Sequence, residues 1–246
     1  MSGRIFGIHP VLQALEARKR GVTRVIVAAS RRDARIRLVM EAARAAGVPV
    51  ARQPDSALDR LAEGETHQGV IALVADAPYA DPDELLRSAG PSSLFVVLDG
   101  IEDPRNLGAV VRVAAAAGAG GLFLPERGTP GLTPVAVKAA AGAVERLPVA
   151  RVGNIVVLLK SLKEKNVWVV GLDGEAASPW TSFDLTSPVA LVLGGEGRGL
   201  RRLARETCDV VLSIPMSGGV ESLNLSVAAG IVLFEAVRQR RAAGGS

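Results

Sequence analysis

Short apolar runs alternate with amphipathic segments along almost the whole chain. In the first third, the pattern predicts strands at 24–28, 48–51 and 69–74, and helices at 11–18, 32–46 and 56–62. The same alternation returns with longer elements from residue 93 onward. Strands and helices that alternate in this way are typical of α/β domains.

The apolar runs after residue 93 contain almost no polar residues, which is typical of strands buried on both faces of a parallel sheet. Strands are predicted at 94–98, 121–124, 149–152, 167–172, 189–193 and 210–214, and helices at 104–117, 134–143, 155–165, 200–206 and 225–240. Asp103 is placed to cap the helix that begins at Pro104. We therefore predict a mostly parallel sheet with helices on both sides.

The segment 75–82 interrupts this alternation with two prolines, two acidic residues and small residues, a composition typical of a linker. We predict a small α/β domain at 1–75, a linker at 76–92 and a larger α/β domain at 93–241. The Ala- and Gly-rich end at 242–246 is expected to be a disordered tail.

Basic residues are concentrated in the first domain. Residues 1–75 contain 12 Lys and Arg against 7 Asp and Glu, whereas the rest of the chain contains 17 and 18. A basic domain beside a near-neutral one indicates docking to a polyanion such as nucleic acid. A solvated basic surface is the alternative. Aromatic residues are only 3% of the chain, which argues against binding through base-stacking platforms.

Cysteine and histidine are scarce. Cys208 is the single cysteine, so no internal disulfide is possible and a reducing compartment fits. With only His9 and His67 beside it, we expect no metal site. No secretory signal opens the chain, and its longest apolar runs are too short to cross a bilayer. We expect a cytoplasmic protein without a membrane partner.

Two glycine-rich turns each follow a predicted strand in the last third of the chain. The first covers 194–199 and the second contains Gly218 and Gly219. Glycine lets the backbone approach a ligand closely, so the two turns predict a small-molecule crevice made largely of main chain. A tight strand-to-helix turn is the alternative. The spacing matches neither a dinucleotide-binding fingerprint nor a Walker loop.

Polar residues near the predicted strand ends are the candidates for chemistry. Asn106 falls in the first turn of its helix, at the sheet edge where α/β proteins bind ligands. Arg112 lies among Val and Ala and is either a buried salt-bridge partner or an active-site group. Ser222 and Asn224 either cap the last helix or face a ligand. Ser222 is a poor nucleophile candidate, because no Gly-x-Ser-x-Gly elbow surrounds it.

Together these residues resemble three ordered motifs of the SpoU/TrmH ribose 2′-O-methyltransferases. The motifs are Asp103-Pro104-x-Asn106-x-Gly108-x-x-x-Arg112, Leu193-Gly194-x-Glu196-Gly197-x-Gly199, and Ile214-Pro215-Met216 through Ser222-Leu223-Asn224-x-Ser226. Phe6-Gly7-Ile8-His9-Pro10-Val11 and His67-Gln68-Gly69-Val70 resemble the L30e-like RNA-binding domain of the branch that methylates a guanosine in 23S rRNA.

The resemblance implies a SPOUT methyltransferase fold, with a parallel sheet and a C-terminal deep trefoil knot, preceded by the L30e-like domain. It also implies a homodimer that binds S-adenosylmethionine through main-chain groups in the knot. By motif position, the cofactor-binding residues would be Gly194, Gly195, Ile214, Met216 and Leu223.

The resemblance assigns methyl transfer to a ribose 2′-hydroxyl to Arg112, Asn106, Glu196, Ser222 and Asn224. The site must remove the hydroxyl proton or stabilise the developing alkoxide. The family's arginine has been cast as the general base, but a guanidinium stays protonated in proteins. We therefore hypothesise that Arg112 is a fixed cation. The same chemistry on tRNA or on an antibiotic-resistance site of rRNA, and a non-catalytic RNA-binding protein, are the alternatives.

Overall fold

The computed structural model describes residues 3–16, 22–74, 79–195, 197, 199–219 and 222–244. The chain divides into two compact units, Met1–Pro78 and Tyr79–Ser246. Each unit is built around its own sheet.

The first unit has a four-stranded mixed sheet with helices on both faces. Its elements are β1 (Gly3–Phe6), α1 (Ile8–Glu16), β2 (Val22–Ala28), α2 (Ala34–Ala45), β3 (Val50–Gln53), α3 (Asp55–Ala62) and β4 (Val70–Val74). The order is β1-β4-β2-β3; β4 is antiparallel to both neighbours, and β2 and β3 are parallel. Val25 and Val27 pack with α1 and α2, whereas Ile26 and Ala28 pack with α3. The edge strand β1 was not predicted.

The second unit has a seven-stranded sheet in which every pair of neighbours is parallel. Its elements are α4 (Pro82–Arg87), β5 (Leu94–Asp99), α5 (Pro104–Ala116), β6 (Gly121–Pro125), α6 (Pro134–Ala140), β7 (Val149–Val152), α7 (Ile155–Glu164), β8 (Trp168–Leu172), β9 (Ser178–Pro179), β10 (Val189–Gly194), α8 (Arg202–Thr207), β11 (Val210–Ser213) and α9 (Leu225–Ala242). The strand order is β7-β6-β5-β10-β8-β11-β9. The predicted parallel sheet is therefore confirmed.

Helices cover both faces of this sheet. Phe95 and Val97 of β5 pack in a cluster with α4, α7 and α8. The residues that alternate with them point to the opposite face, where α5 packs against both α6 and α9. A Cβ on Gly108 would clash with the carbonyl oxygen of Ala136 and lie 2.7 Å from Ala139 Cβ. Gly108 is therefore what allows α5 and α6 to approach so closely.

Part of the predicted linker and part of the predicted tail are helical. Asp81 accepts a hydrogen bond from the Glu84 N–H and caps α4, and Leu85 is buried against Gly121. An N-cap aspartate, a proline at the first helical position and a buried leucine outweigh the linker-like composition. At the other end, α9 extends to Ala242. Residues 75–78 and 245–246 lie outside the described part of the chain.

Candidate active site at the carboxyl edge of the parallel sheet

The three motifs follow strands that are close together in the sheet. They come after β5, β10 and β11; β5 and β10 are neighbours, and β8 separates β10 from β11. Parallel strands end at a common edge, which is where open α/β sheets bind ligands. Segments far apart in sequence therefore meet at the carboxyl edge.

Asn106 and Asn224 meet directly although 118 residues separate them. Asn224 donates a hydrogen bond from Nδ2 to Asn106 Oδ1 over 3.0 Å. Asn106 lies in the first turn of α5, whose N-cap is Asp103. The predicted convergence of the first and third motifs is thus present in the fold.

Asn224 is also the N-cap of α9. Its Oδ1 accepts hydrogen bonds from the Ser226 N–H at 2.9 Å and the Ser226 hydroxyl at 2.7 Å. This leaves the Nδ2 group to face Asn106, so the cap orients the amide for the contact between motifs. Capping and a role in the site are therefore compatible for Asn224. Ser222 is exposed two residues before it.

The glycine-rich turn after β10 is closed by close main-chain contacts that leave no space for a Cβ at Gly194 or Gly195. Gly195 and Gly199 exchange two main-chain hydrogen bonds of 3.1 Å. A Cβ on Gly194 would clash with the Gly199 backbone, and a Cβ on Gly195 would clash with the Gly100 carbonyl oxygen. The turn therefore lies directly against the loop that follows β5. Glu196, the candidate carboxylate of this turn, lies outside the described residues.

The segment between β11 and α9 offers main-chain groups to a ligand. Across the described residues 214–219 and 222–223, no main-chain group hydrogen-bonds to another described residue. A Cβ built on Gly218 or Gly219 meets nothing within 4 Å, so this backbone faces open space. Ile214 and Leu223 are half-buried and Met216 is 38% exposed. These features suit the main-chain binding predicted for a cofactor such as S-adenosylmethionine.

Arg112 is exposed on α5. In the part of the chain that the structure describes, it forms no ion pair and no side-chain hydrogen bond. Of the two alternatives for Arg112, the buried salt-bridge partner is therefore wrong, because Arg112 lies on a different side of α5 from Val110, Val111 and Ala114, which are buried. An exposed cation on the helix that carries Asn106 is available to an anionic substrate.

Asp99 is a residue of this edge that sequence reasoning missed. It ends β5, and its side chain is only 2% exposed. Asp99 Oδ2 accepts a 2.9 Å hydrogen bond from the Arg201 N–H, and Oδ1 lies 3.5 Å from Arg201 Nη1. The carboxylate thus ties the end of the 194–201 turn to β5. A carboxylate at the end of an otherwise apolar strand is the sequence signal that could have identified Asp99.

Cys208 lies away from this edge, between α8 and the start of β11. Burial raises the pKa of Cys208 to about 12, helped by the neighbouring Asp209 carboxylate, so the thiol stays protonated at neutral pH. Among the described residues, no three His, Cys, Asp or Glu side chains are grouped to hold a metal ion. None of the described helices combines the length and apolar composition needed to span a bilayer.

Two family models match the chain. Residues 93–234 match the SpoU rRNA methylase family, and residues 4–80 match the substrate-binding domain of RNA 2′-O ribose methyltransferases. The chain is 46% identical over 239 residues to a 23S rRNA (guanosine-2′-O-)-methyltransferase, RlmB, from Xylella fastidiosa strain 9a5c, covering 96% of both chains. It is 45% identical over 240 residues to RlmB from Shewanella oneidensis, covering 96% of this chain and 97% of the relative.

A solved structure is also similar. The SpoU methyltransferase AviRb from Streptomyces viridochromogenes, in complex with its cofactor AdoMet, superposes with a TM-score of 0.73 at 27% identity, covering 97% of this chain and 90% of that one. The resemblance inferred from three motifs thus holds across both units. The chain belongs to the SpoU rRNA methylase family of RNA 2′-O-ribose methyltransferases.

Proposed function

We propose that the protein transfers the methyl group of S-adenosylmethionine to the ribose 2′-hydroxyl of a guanosine in 23S rRNA. The observation that carries the proposal is the Asn106–Asn224 hydrogen bond. It joins the first and third motifs beside the segment between β11 and α9, whose described main-chain groups form no hydrogen bond with other described residues. The names of the similar proteins from Xylella and Shewanella support the substrate, and the AdoMet complex of AviRb supports the cofactor.

The cofactor would be held by main chain and the ribose by side chains. Gly194, Gly195, Ile214, Met216 and Leu223 are the proposed cofactor-binding residues. The bound cofactor supplies a sulfonium methyl group that a nucleophilic oxygen can attack. Main-chain donors and acceptors suit it because β10, β11 and α9 fix the ends of the segments that carry them.

The proposed catalytic residues are Asn106, Arg112, Glu196, Ser222 and Asn224. The linked amides of Asn106 and Asn224 orient polar groups toward the ribose, and Ser222 adds an exposed hydroxyl nearby in sequence. Arg112 stabilises the developing alkoxide and the adjacent phosphate as a fixed cation, because a guanidinium does not lose its proton at neutral pH. Glu196 is the proposed acceptor for a hydroxyl of the substrate.

Single-turnover methylation by Arg112→Lys and Arg112→Ala tests the role of Arg112. We expect Lys to recover part of the rate that Ala loses, with the ionisations of the pH profile unchanged, because a lysine also supplies a cation. A lysine variant as slow as the alanine variant, together with a lost ionisation, would show that Arg112 is a base.

Mass spectrometry of RNA from a strain lacking the gene tests the proposed substrate. We expect one 2′-O-methylguanosine to disappear from 23S rRNA and to return with the wild-type gene but not with Asn106→Ala. A methyl group missing from tRNA would identify the alternative substrate. No missing methyl group would favour a non-catalytic RNA-binding protein.

Because ribosomal RNA is made and modified in the bacterial cytoplasm, we also propose that the protein is cytoplasmic.

A trefoil knot and a homodimer complete the proposal. The strand order supports the knot: β11 lies beyond β8, yet α9 packs against α5, which follows β5. The chain must therefore return past the turn after β10.

Val227 and Phe234 support the dimer, because they lie seven residues apart on α9 and are 49% and 48% exposed. Exposed large apolar side chains at helical spacing suit an interface with a second copy.

The first unit is the proposed RNA-binding domain, with the L30e-like domain at 1–75 and the catalytic domain at 93–241. The match to a substrate-binding domain at residues 4–80 and the concentration of Lys and Arg before residue 76 support this division of labour. Positive charge supplies sequence-independent affinity for the phosphate backbone.

A further inference from the structure

Arg201 presents its guanidinium at the carboxyl edge of the sheet. Its side chain is 59% exposed, and within the described chain it contacts a carboxylate only at the 3.5 Å between its Nη1 and Asp99 Oδ1. The two arginines of α8, which follow it in the chain, have closer partners. Arg202 bonds Glu206 at 2.9 Å and Arg205 bonds Asp173 at 3.1 Å. Arg201 therefore keeps most of its N–H donors available.

Two glycines lie beneath this guanidinium. A Cβ on Gly100 would lie 3.3 Å from Arg201 Nη2, and a Cβ on Gly128 would make an ordinary contact with the same atom at 3.7 Å. Gly100 follows β5 and Gly128 follows β6, so the guanidinium lies over the ends of two neighbouring strands. Both glycines have positive φ, +95° and +70°, where a side chain would be strained. The guanidinium thus lies against the loops that follow β5 and β6.

The guanidinium also lies beside the candidate cofactor turn. Gly100, which lies under Arg201, touches Gly195 through its carbonyl oxygen. The main-chain N–H of Arg201 is held by the buried Asp99, so the start of its side chain is fixed relative to β5. An exposed guanidinium whose main chain is anchored can present two parallel N–H donors, the arrangement through which arginine binds a phosphate.

We infer that Arg201 binds a phosphodiester group of the RNA substrate, next to the nucleotide whose ribose is methylated, and that Asp99 is its positioning residue. The inference rests on the proposed RNA methyltransferase function. It adds an anion site distinct from Arg112, formed where the loops after β5, β6 and β10 meet. Phosphate contacts of this kind set the register of RNA without reading its sequence.

The test compares Arg201→Gln and Arg201→Lys with Arg202→Gln as the matched control. Arg202 is the adjacent arginine, 76% exposed and already paired with Glu206. All three substitutions keep the main-chain N–H that Asp99 holds, so the turn keeps its anchor. Binding to protein-free 23S rRNA from the deletion strain is measured over a salt series, and binding of S-adenosylmethionine is measured by calorimetry.

We expect Arg201→Gln to weaken RNA binding about 5- to 10-fold and to reduce the slope of log K against log salt by about 1. Arg201→Lys should fall between Gln and wild type, and Arg202→Gln should change affinity less than about 2-fold. Cofactor affinity should be unchanged in all three. RNA binding by Arg201→Gln equal to that of Arg202→Gln would overturn the inference, as would weakened cofactor binding with unchanged RNA binding. Failure of the proposed function is distinguishable from failure of this inference. In that case mass spectrometry would show that the wild-type protein itself does not methylate the rRNA.

Discussion

Arg240 provides a sharp test of how the last helix is held in place. Its guanidinium donates hydrogen bonds from Nε to the Leu185 carbonyl, from Nη1 to Ser92, and from Nη2 to Ser93 and Ser187, at 2.7–3.0 Å. Burial lowers the pKa of this guanidinium. Four carbonyl groups from two loops thus bond to one side chain near the end of α9, and the Ser93 carbonyl also accepts from the Val189 N–H.

Replacing Arg240 with Met removes these bonds while keeping an unbranched apolar stem. A charge-assisted hydrogen bond contributes about 1.5–3 kcal/mol when its partners are buried. The four bonds here are partly open to water, which replaces some of them, so we expect a loss of about 3 kcal/mol in the free energy of unfolding. Arg241→Met is the control, because Arg241 is exposed and Arg and Met have similar helix propensities.

Urea unfolding followed by tryptophan fluorescence measures this difference. Both tryptophans, Trp168 and Trp180, lie in the second unit, so their signal reports on that unit alone. The expected loss corresponds to a decrease of about 6–12 °C in melting temperature. If Arg240→Met and Arg241→Met unfold within about 0.5 kcal/mol of each other, water satisfies the four carbonyls and the reasoning is wrong.

Three further predictions concern packing and protonation. Gly108→Ala should destabilise the protein by at least about 2 kcal/mol in urea unfolding, because the added Cβ would meet Ala136 and Ala139. Gly90→Ala should be neutral, because a Cβ on Gly90 meets nothing within 4 Å. Equal effects of the two substitutions would refute the packing argument. Hydrogen bonds from Arg238 and Gln239 lower the pKa of Glu235 from 4.5 to about 2, so its stabilising contribution is present above pH 4.5 and lost as the pH falls toward 2. The stability difference between wild type and Glu235→Gln should therefore shrink between pH 5 and pH 3, and a constant difference would contradict this. Because its pKa is raised to about 12, Cys208 should react with iodoacetamide at pH 8 only after unfolding; rapid labelling of the folded protein would show an accessible thiolate.

Much of the second unit could be predicted because its signals are local. β5 and β10 are apolar except at their last residues, and both are buried along their whole length. The Asp103 cap and Pro104 mark the start of α5 wherever the helix packs. Local signals also misled: the prolines and acidic residues before Leu85 indicate a linker, but Asp81 and Pro82 begin a short helix whose leucine is buried. The local sequence does not show whether Leu85 is buried, because it packs against Gly121, which is distant in the chain.

The sequence by itself determined most of the strands and helices, although β1 and α4 were missed, and its three motifs indicated the family. Only the tertiary structure decided that β10 inserts between β5 and β8 and that Asn224 faces Asn106. It also decided that Asp99 holds the main chain of Arg201, 102 residues away, and that Arg112 is exposed and has no ion-pair partner among the described residues. Hydrophobic periodicity specifies the face that a residue occupies, whereas strand order and side-chain partners depend on how all the elements pack together.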